Sequence, residues 1–115
     1  MLKGDKSDEN RPVIEALIRG NADVNERDGQ GMTPLLRAAG KGWPGLVSLL
    51  LGCGADIDAT RDDKRETALI LAVKQVRIRG DKYESVVRIL MYKGADVGKT
   101  NSAGNTAYTL ASARG

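Results

Sequence analysis

Apolar side chains in this chain come in short clusters at helical spacing, separated by polar stretches rich in Gly, Asp and Asn. Leu35, Leu36, Ala38 and Ala39 form one cluster, and Leu46, Val47, Leu49, Leu50 and Leu51 form the next. Neighbours three and four positions apart make each an amphipathic helix. Thr33 before Pro34 is an N-cap followed by a first-turn proline, which predicts a helix from about Pro34 to Gly40. Pro44 opens a second helix, and Gly52 and Gly54 end it, because glycine accepts the left-handed backbone of a helix C-terminus. Leu69, Ala72, Val73 and Val76 keep the same spacing on a third helix, and Val87 is the equivalent of Val47 on a fourth. Near the start, Val13, Ile14, Leu17 and Ile18 predict a helix from Pro12 to Gly20. Met1 to Asn10 holds too few apolar residues for a helix before it.

These pairs of helices repeat. A short phrase returns as NADVN from Asn21, GADID from Gly54 and GADVG from Gly94, at spacings of 33 and 40 residues. A second phrase keeps step with it: DGQGMTPLLRAA from Asp28, DDKRETALILAV from Asp62 and NSAGNTAYTLAS from Asn101. A fixed period in this range is the mark of a stacked repeat array. The pattern D-x-x-G-x-T-P-L, then A-A, V-x-L-L and G-A-D, resembles the ankyrin repeat, most closely from Asp28 to Ala59. The resemblance implies an all-α repeat solenoid of helix-loop-helix units with β-turn or hairpin fingers. The chain then divides into a partial repeat 1–26, a repeat 27–59, a repeat with an insertion 60–99 and a partial repeat 100–115, two full and two partial units in one domain.

Thr67 to Val87 spans six residues more than Thr33 to Val47. The insertion falls in Val76 to Lys82, which predicts a longer first helix followed by a protruding loop near Gly80. Such an insertion is either tolerated surface variation or a contact of its own. The last unit stops after its first helix, which is expected of either a piece cut from a longer array or a natural stop with a degenerate cap; a truncated end would leave apolar surface uncovered, one route to self-association. The histidine usual after T-P-L in the family is replaced by Leu36, Ile70 and Thr109, so its side-chain hydrogen bonds to neighbouring turns are expected to be missing throughout. Arg65 takes a turn position where the family has glycine, implying a positive φ under strain or a different turn. The unit beginning at Asp62 is therefore expected to be the least stable interior repeat.

Composition narrows the function classes. Eighteen basic and fifteen acidic residues leave a net charge of +3, too small and too interspersed to indicate a nucleic-acid surface. A single cysteine, Cys53, excludes an internal disulfide framework. With nothing resembling a signal peptide, the setting expected is cytosolic or nuclear. Leu46 to Leu51 is far short of the roughly 20 apolar residues that span a bilayer, so no membrane partner is expected.

No histidine is present, which removes the commonest general base and metal ligand, and Cys53 has no partner to activate it. No catalytic, cofactor or metal site is expected. GADVGKT from Gly94 has one residue too few between its glycines for a phosphate loop, and Gly29 and Gly31 lack the third glycine of a dinucleotide fingerprint. The Arg79, Gly80, Asp81 tripeptide spells an integrin motif but is short enough to recur by chance. Asn25, with Asp23 and Leu17 before it, resembles the acceptor context of ankyrin asparaginyl hydroxylation. A turn asparagine explains it as well. Trp43 at the start of the second helix is either a binding anchor or a packing cap.

Ankyrin repeats are binding modules, and the resemblance places partner contacts on finger tips and inner helices of a concave face. The tips are Arg27, Gly29, Gln30 and Met32, then Arg61, Asp63, Lys64 and Glu66, then Thr100, Ser102, Ala103 and Asn105. The inner helices add Arg37, Gly40, Lys41, Lys74 and Gln75. An exposed Met32 flanked by Arg27, Arg37 and Lys41 suits a partner protein with acidic and apolar surface. The function implied is non-catalytic protein binding. The alternative is a regulatory or targeting segment of a larger enzyme, channel or ubiquitin-ligase adaptor.

Overall fold

A computed structural model describes residues 23–61 and 64–112, with the side chains of residues 77–79 outside the description. The expected Pro12–Gly20 helix and Asp63 lie outside the described residues. Five helices are described: α1 Pro34–Lys41, α2 Pro44–Gly52, α3 Ala68–Arg79, α4 Asp81–Tyr92 and α5 Ala107–Ser112. The first helices of successive units stack as α1 on α3 on α5, and the second helices stack as α2 on α4. An isolated antiparallel bridge, Thr60 with Thr67, is the extended pairing among the described residues.

Local chemistry sets each boundary. Thr33 and Thr67 are N-caps with extended backbones, and their Oγ1 atoms accept from Leu36 N and Ile70 N at 3.2 Å. Thr106 repeats the device, accepting from Thr109 N at 3.1 Å, and Thr109 Oγ1 returns the favour by accepting from Thr106 N at 2.8 Å. Leu36 and Ile70 are buried in the core, and the Thr109 hydroxyl bonds within its own turn, to Thr106 and Asn105.

Helix C-termini close on glycine. Gly54 N–H donates to Leu51 C=O and Ala55 N–H to Leu50 C=O, and Gly94 and Ala95 do the same to Met91 and Leu90. Both glycines have φ of 96°, and each pair of bonds satisfies carbonyls that the helix leaves unpaired.

The insertion forms no protruding loop, contrary to the sequence expectation. Relative to α1 and α2, helix α3 is 12 residues against 8 and α4 is 12 against 9. The linker shrinks from Gly42–Trp43 to Gly80 alone, so the six inserted residues are absorbed as helix. Backbone hydrogen bonds are satisfied inside the helices instead of by water, and Gly80, at φ 86° and ψ −134°, makes the corner in a region open essentially to glycine. The extra turn of α4 carries Tyr83. Its ring is buried and its hydroxyl donates to Gly40 C=O at 3.1 Å, across to the end of α1.

The core is small and aliphatic: Leu35, Leu36, Ala38, Ala39, Val47, Leu50, Ala68, Leu69, Ile70, Ala72, Val86 and Leu90, with Ala107 at its edge. Each helix pair buries its stripe against the next, as a quasi-one-dimensional stack requires.

Candidate protein-binding surface

The fingers are built by side chains that hold their own turns. In the first, Asp28 Oδ1 accepts from Gln30 N at 2.9 Å and from Met32 N at 3.1 Å, while Gly31 takes φ of 75°. In the third, Asn101 Oδ1 accepts from Ala103 N and Asn105 N, both at 3.0 Å, and Gly104 takes φ of 83°. Counting from the capping threonines, Arg65 is the counterpart of Gly31 and Gly104. It does adopt a positive φ, 55°, the expected strain at a non-glycine residue.

Adjacent fingers are stitched together. Arg27 Nη1 donates to Gly31 C=O in its own finger and to Thr60 C=O at the next, both at 2.7 Å. Ser102 N donates to Lys64 C=O at 2.9 Å, joining the third finger to the second. Behind the fingers, Asn25 Oδ1 accepts from Asp56 N at 2.7 Å, and its counterpart Asp58 accepts from Asp96 N at 2.9 Å. Asn25 thus has a structural task as a turn residue.

The expected binding residues divide under this geometry. Arg37 is engaged by Asp28, with Nε to Oδ2 at 2.8 Å, and by Gln30 Oε1. The Arg37 hydrogen bond, followed by the backbone N–H groups of Met32 and Gln30, lowers the Asp28 carboxyl from 3.8 to about 2. Met32 is half-buried against the core, not the exposed anchor expected, because its side chain covers the helix pair beneath it. Glu66 is a second correction. It is only 3% exposed, with Oε2 at 2.6 Å from Lys74 Nζ and Oε1 at 3.6 Å from Arg61 Nη1, so two cations compensate the buried carboxylate.

Facing outward are Arg27, Gln30, Lys41, Lys64 and Arg65, with Lys74 half-committed to Glu66, and with Arg61, Gln75 and Asn105 partly covered. Lys41 Nζ lies 5.6 Å from the centroid of Trp43, which is half-buried at the start of α2. Sequence reasoning flagged Arg65 for strain but not for binding. Its exposure at a finger tip was legible from the shared turn register.

A second surface lies at the far end of the stack. Tyr92 is 87% exposed, Tyr108 73%, Met91 53% and Val97 46%. Beside them, a cavity of about 280 Å³ opens between α3, α4 and α5. Among the described residues, no group of three His, Cys, Asp or Glu side chains gathers to hold a metal ion, and no helix is long and apolar enough to cross a membrane.

A family profile described as ankyrin repeats, three copies, matches residues 6–101. The chain belongs to the ankyrin-repeat family. Among its relatives, "Ankyrin repeat and KH domain-containing protein mask-1" of Caenorhabditis elegans is 33% identical over 100 residues, which is 86% of this chain and 4% of that protein. Human "Protein phosphatase 1 regulatory subunit 27" is 41% identical over 54 residues, 47% of this chain and 35% of that one. Human "BCL-6 corepressor-like protein 1" is 32% identical over 100 residues, 87% of this chain and 5% of the relative. The chain therefore spans a small part of the relatives it matches. Ankyrin repeats mediate contacts between proteins, and the helix stack and stitched fingers follow the family architecture.

Proposed function

We propose that this ankyrin domain is a non-catalytic module that binds a partner protein across its finger tips and inner helices. One observation carries the reading. The fingers are tied to one another by Arg27 and Ser102, so their tips form a continuous edge fixed before any partner arrives. A pre-ordered edge loses little conformational entropy on binding. Lys64 and Arg65 are exposed on it and Lys41 is exposed at the C-terminal end of inner helix α1, while the acidic Asp28 and Glu66 are already paired. That balance suits a partner with acidic groups.

A second reading, that the domain recruits or regulates as a segment of a larger protein, is favoured by relatives of which it spans only 4–35%. The exposed thiol of Cys53 suits a reducing compartment, cytosol or nucleus.

The test compares capture of partners from lysate by the parent and by a Lys41→Ala, Lys64→Ala, Arg65→Gly variant. All three changes avoid the buried pairs, and melting curves verify that both proteins are folded. Selective loss of captured proteins from the variant supports the reading. An unchanged set argues that the binding face is elsewhere.

A further inference from the structure

We propose that a pocket between the second and third fingers is a guanidinium site, which takes an arginine side chain presented by a partner protein. The pocket, about 430 Å³, is lined by Thr60, Arg65, Asp96, Gly98, Lys99 and Thr100.

The preceding junction shows what such a place holds. There Arg27 Nη1 donates to Gly31 C=O and to Thr60 C=O, both at 2.7 Å, so one guanidinium bridges two successive units. Repeat register carries these three positions into the pocket. Counting from NADVN, GADID and GADVG, Thr60 stands where Arg27 stands, and Thr100 stands where Thr60 stands. Counting back from the capping threonines, Arg65 stands where Gly31 stands, and both take a positive φ. The two counts differ by one because the second finger is one residue longer: Asp28 N closes on Met32 C=O in the first, and Arg61 N on Glu66 C=O in the second. The donor position and both acceptor positions thus line one pocket, but the donor has become a threonine, whose single hydroxyl hydrogen cannot bridge two carbonyls. Among the described residues, no donor is bonded to Arg65 C=O or Thr100 C=O.

Arginine suits two such acceptors better than lysine, because its planar fork presents several N–H groups in fixed directions and its charge strengthens each bond. Asp96 adds a carboxylate to the lining; its Oδ1 accepts from Gly98 N at 2.9 Å, and a carboxylate keeps capacity for further donors. Arg65 and Lys99 line the pocket too, but both are exposed, and long cationic side chains keep their charged ends in water. The site goes beyond the binding edge proposed above. That edge meets acidic groups through side-chain cations, whereas this pocket meets a cation through backbone carbonyls and a carboxylate.

Amide NMR titration of the 115-residue chain with methylguanidinium, and with methylammonium and acetate for comparison, tests it. At up to tens of millimolar, methylguanidinium should shift the amides of Arg65, Gly98 and Thr100, leave that of Ser48 on α2 in place, and do so at lower concentration than methylammonium. A blocked tripeptide with arginine in the middle should bind at least as well as free arginine, as a side chain presented by a protein requires. Thr60→Arg should restore the internal bridge, raising the thermal midpoint by about 4 °C and weakening methylguanidinium binding at least about tenfold. Thr60→Ser, which leaves the pocket in place, should bind like the parent. Amides that answer acetate and not methylguanidinium, tighter binding of free arginine than of the tripeptide, or a Thr60→Arg variant that is no more stable than the parent or binds as the parent does would each overturn the proposal.

Discussion

Arg65 holds a backbone conformation that its turn counterparts Gly31 and Gly104 adopt without strain. The left-handed region costs an L-residue about 1–2 kcal/mol, somewhat more than the roughly 0.5–1 kcal/mol of extra chain entropy that a glycine loses on folding. Arg65→Gly should therefore raise stability by about 0.5–1 kcal/mol, read as a higher urea midpoint. A lower midpoint would mean the arginine side chain is stabilising the finger. Asp28 makes a pH-dependent contribution. Its folded pKa of about 2 lies below the ordinary 3.8, so its stabilisation is complete above 3.8 and is lost as pH falls through about 2. Asp28→Asn keeps the two backbone hydrogen bonds, as Asn101 demonstrates in the third finger, but discards the charge pair with Arg37. The variant should show a shallower loss of stability between pH 4 and 2 than the parent does, as measured by acid titration of thermal midpoints.

At the scale of elements, the inserted residues act through α4. Its extra turn sets Tyr83 over the end of α1, and any side chain added at Gly42, where φ is +71°, would meet the Tyr83 ring at 3.0 Å. Tyr83→Phe should cost about 1 kcal/mol by leaving Gly40 C=O without its donor. Tyr83→Ala should cost about 3 kcal/mol or more by opening a cavity. Equal losses for the two, measured by chemical denaturation, would locate the contribution in the hydroxyl rather than the ring. The second finger contains the one positive-φ non-glycine residue described. Hydrogen exchange should find the amides of Arg61 and Arg65 opening faster than those of Val47 and Leu50 in α2. Equal protection would refute local weakness there.

At the scale of the whole molecule, periodicity alone makes the helix pairs and their stacking order legible. Each boundary depends on near neighbours in sequence: a threonine cap, a proline in the first turn, a glycine at the end. Partnerships across repeats were less legible. Nothing in the sequence near Met32 says that its side chain folds inward, and nothing near Glu66 says that Arg61 and Lys74 converge on it. The insertion was misread as a loop because a lone glycine resembles a loop signal, while continuous helix on both sides satisfies more backbone. The exposed cations of the fingers remain the central feature of the proposed binding edge. A photo-crosslinking residue placed at Lys64, on a finger, or at Ser48, exposed on α2, tests it most directly in the presence of captured partner. Crosslinks from position 64 and none from 48 are expected. Crosslinks from 48 with none from 64 would contradict the account and move the interface to the second helices.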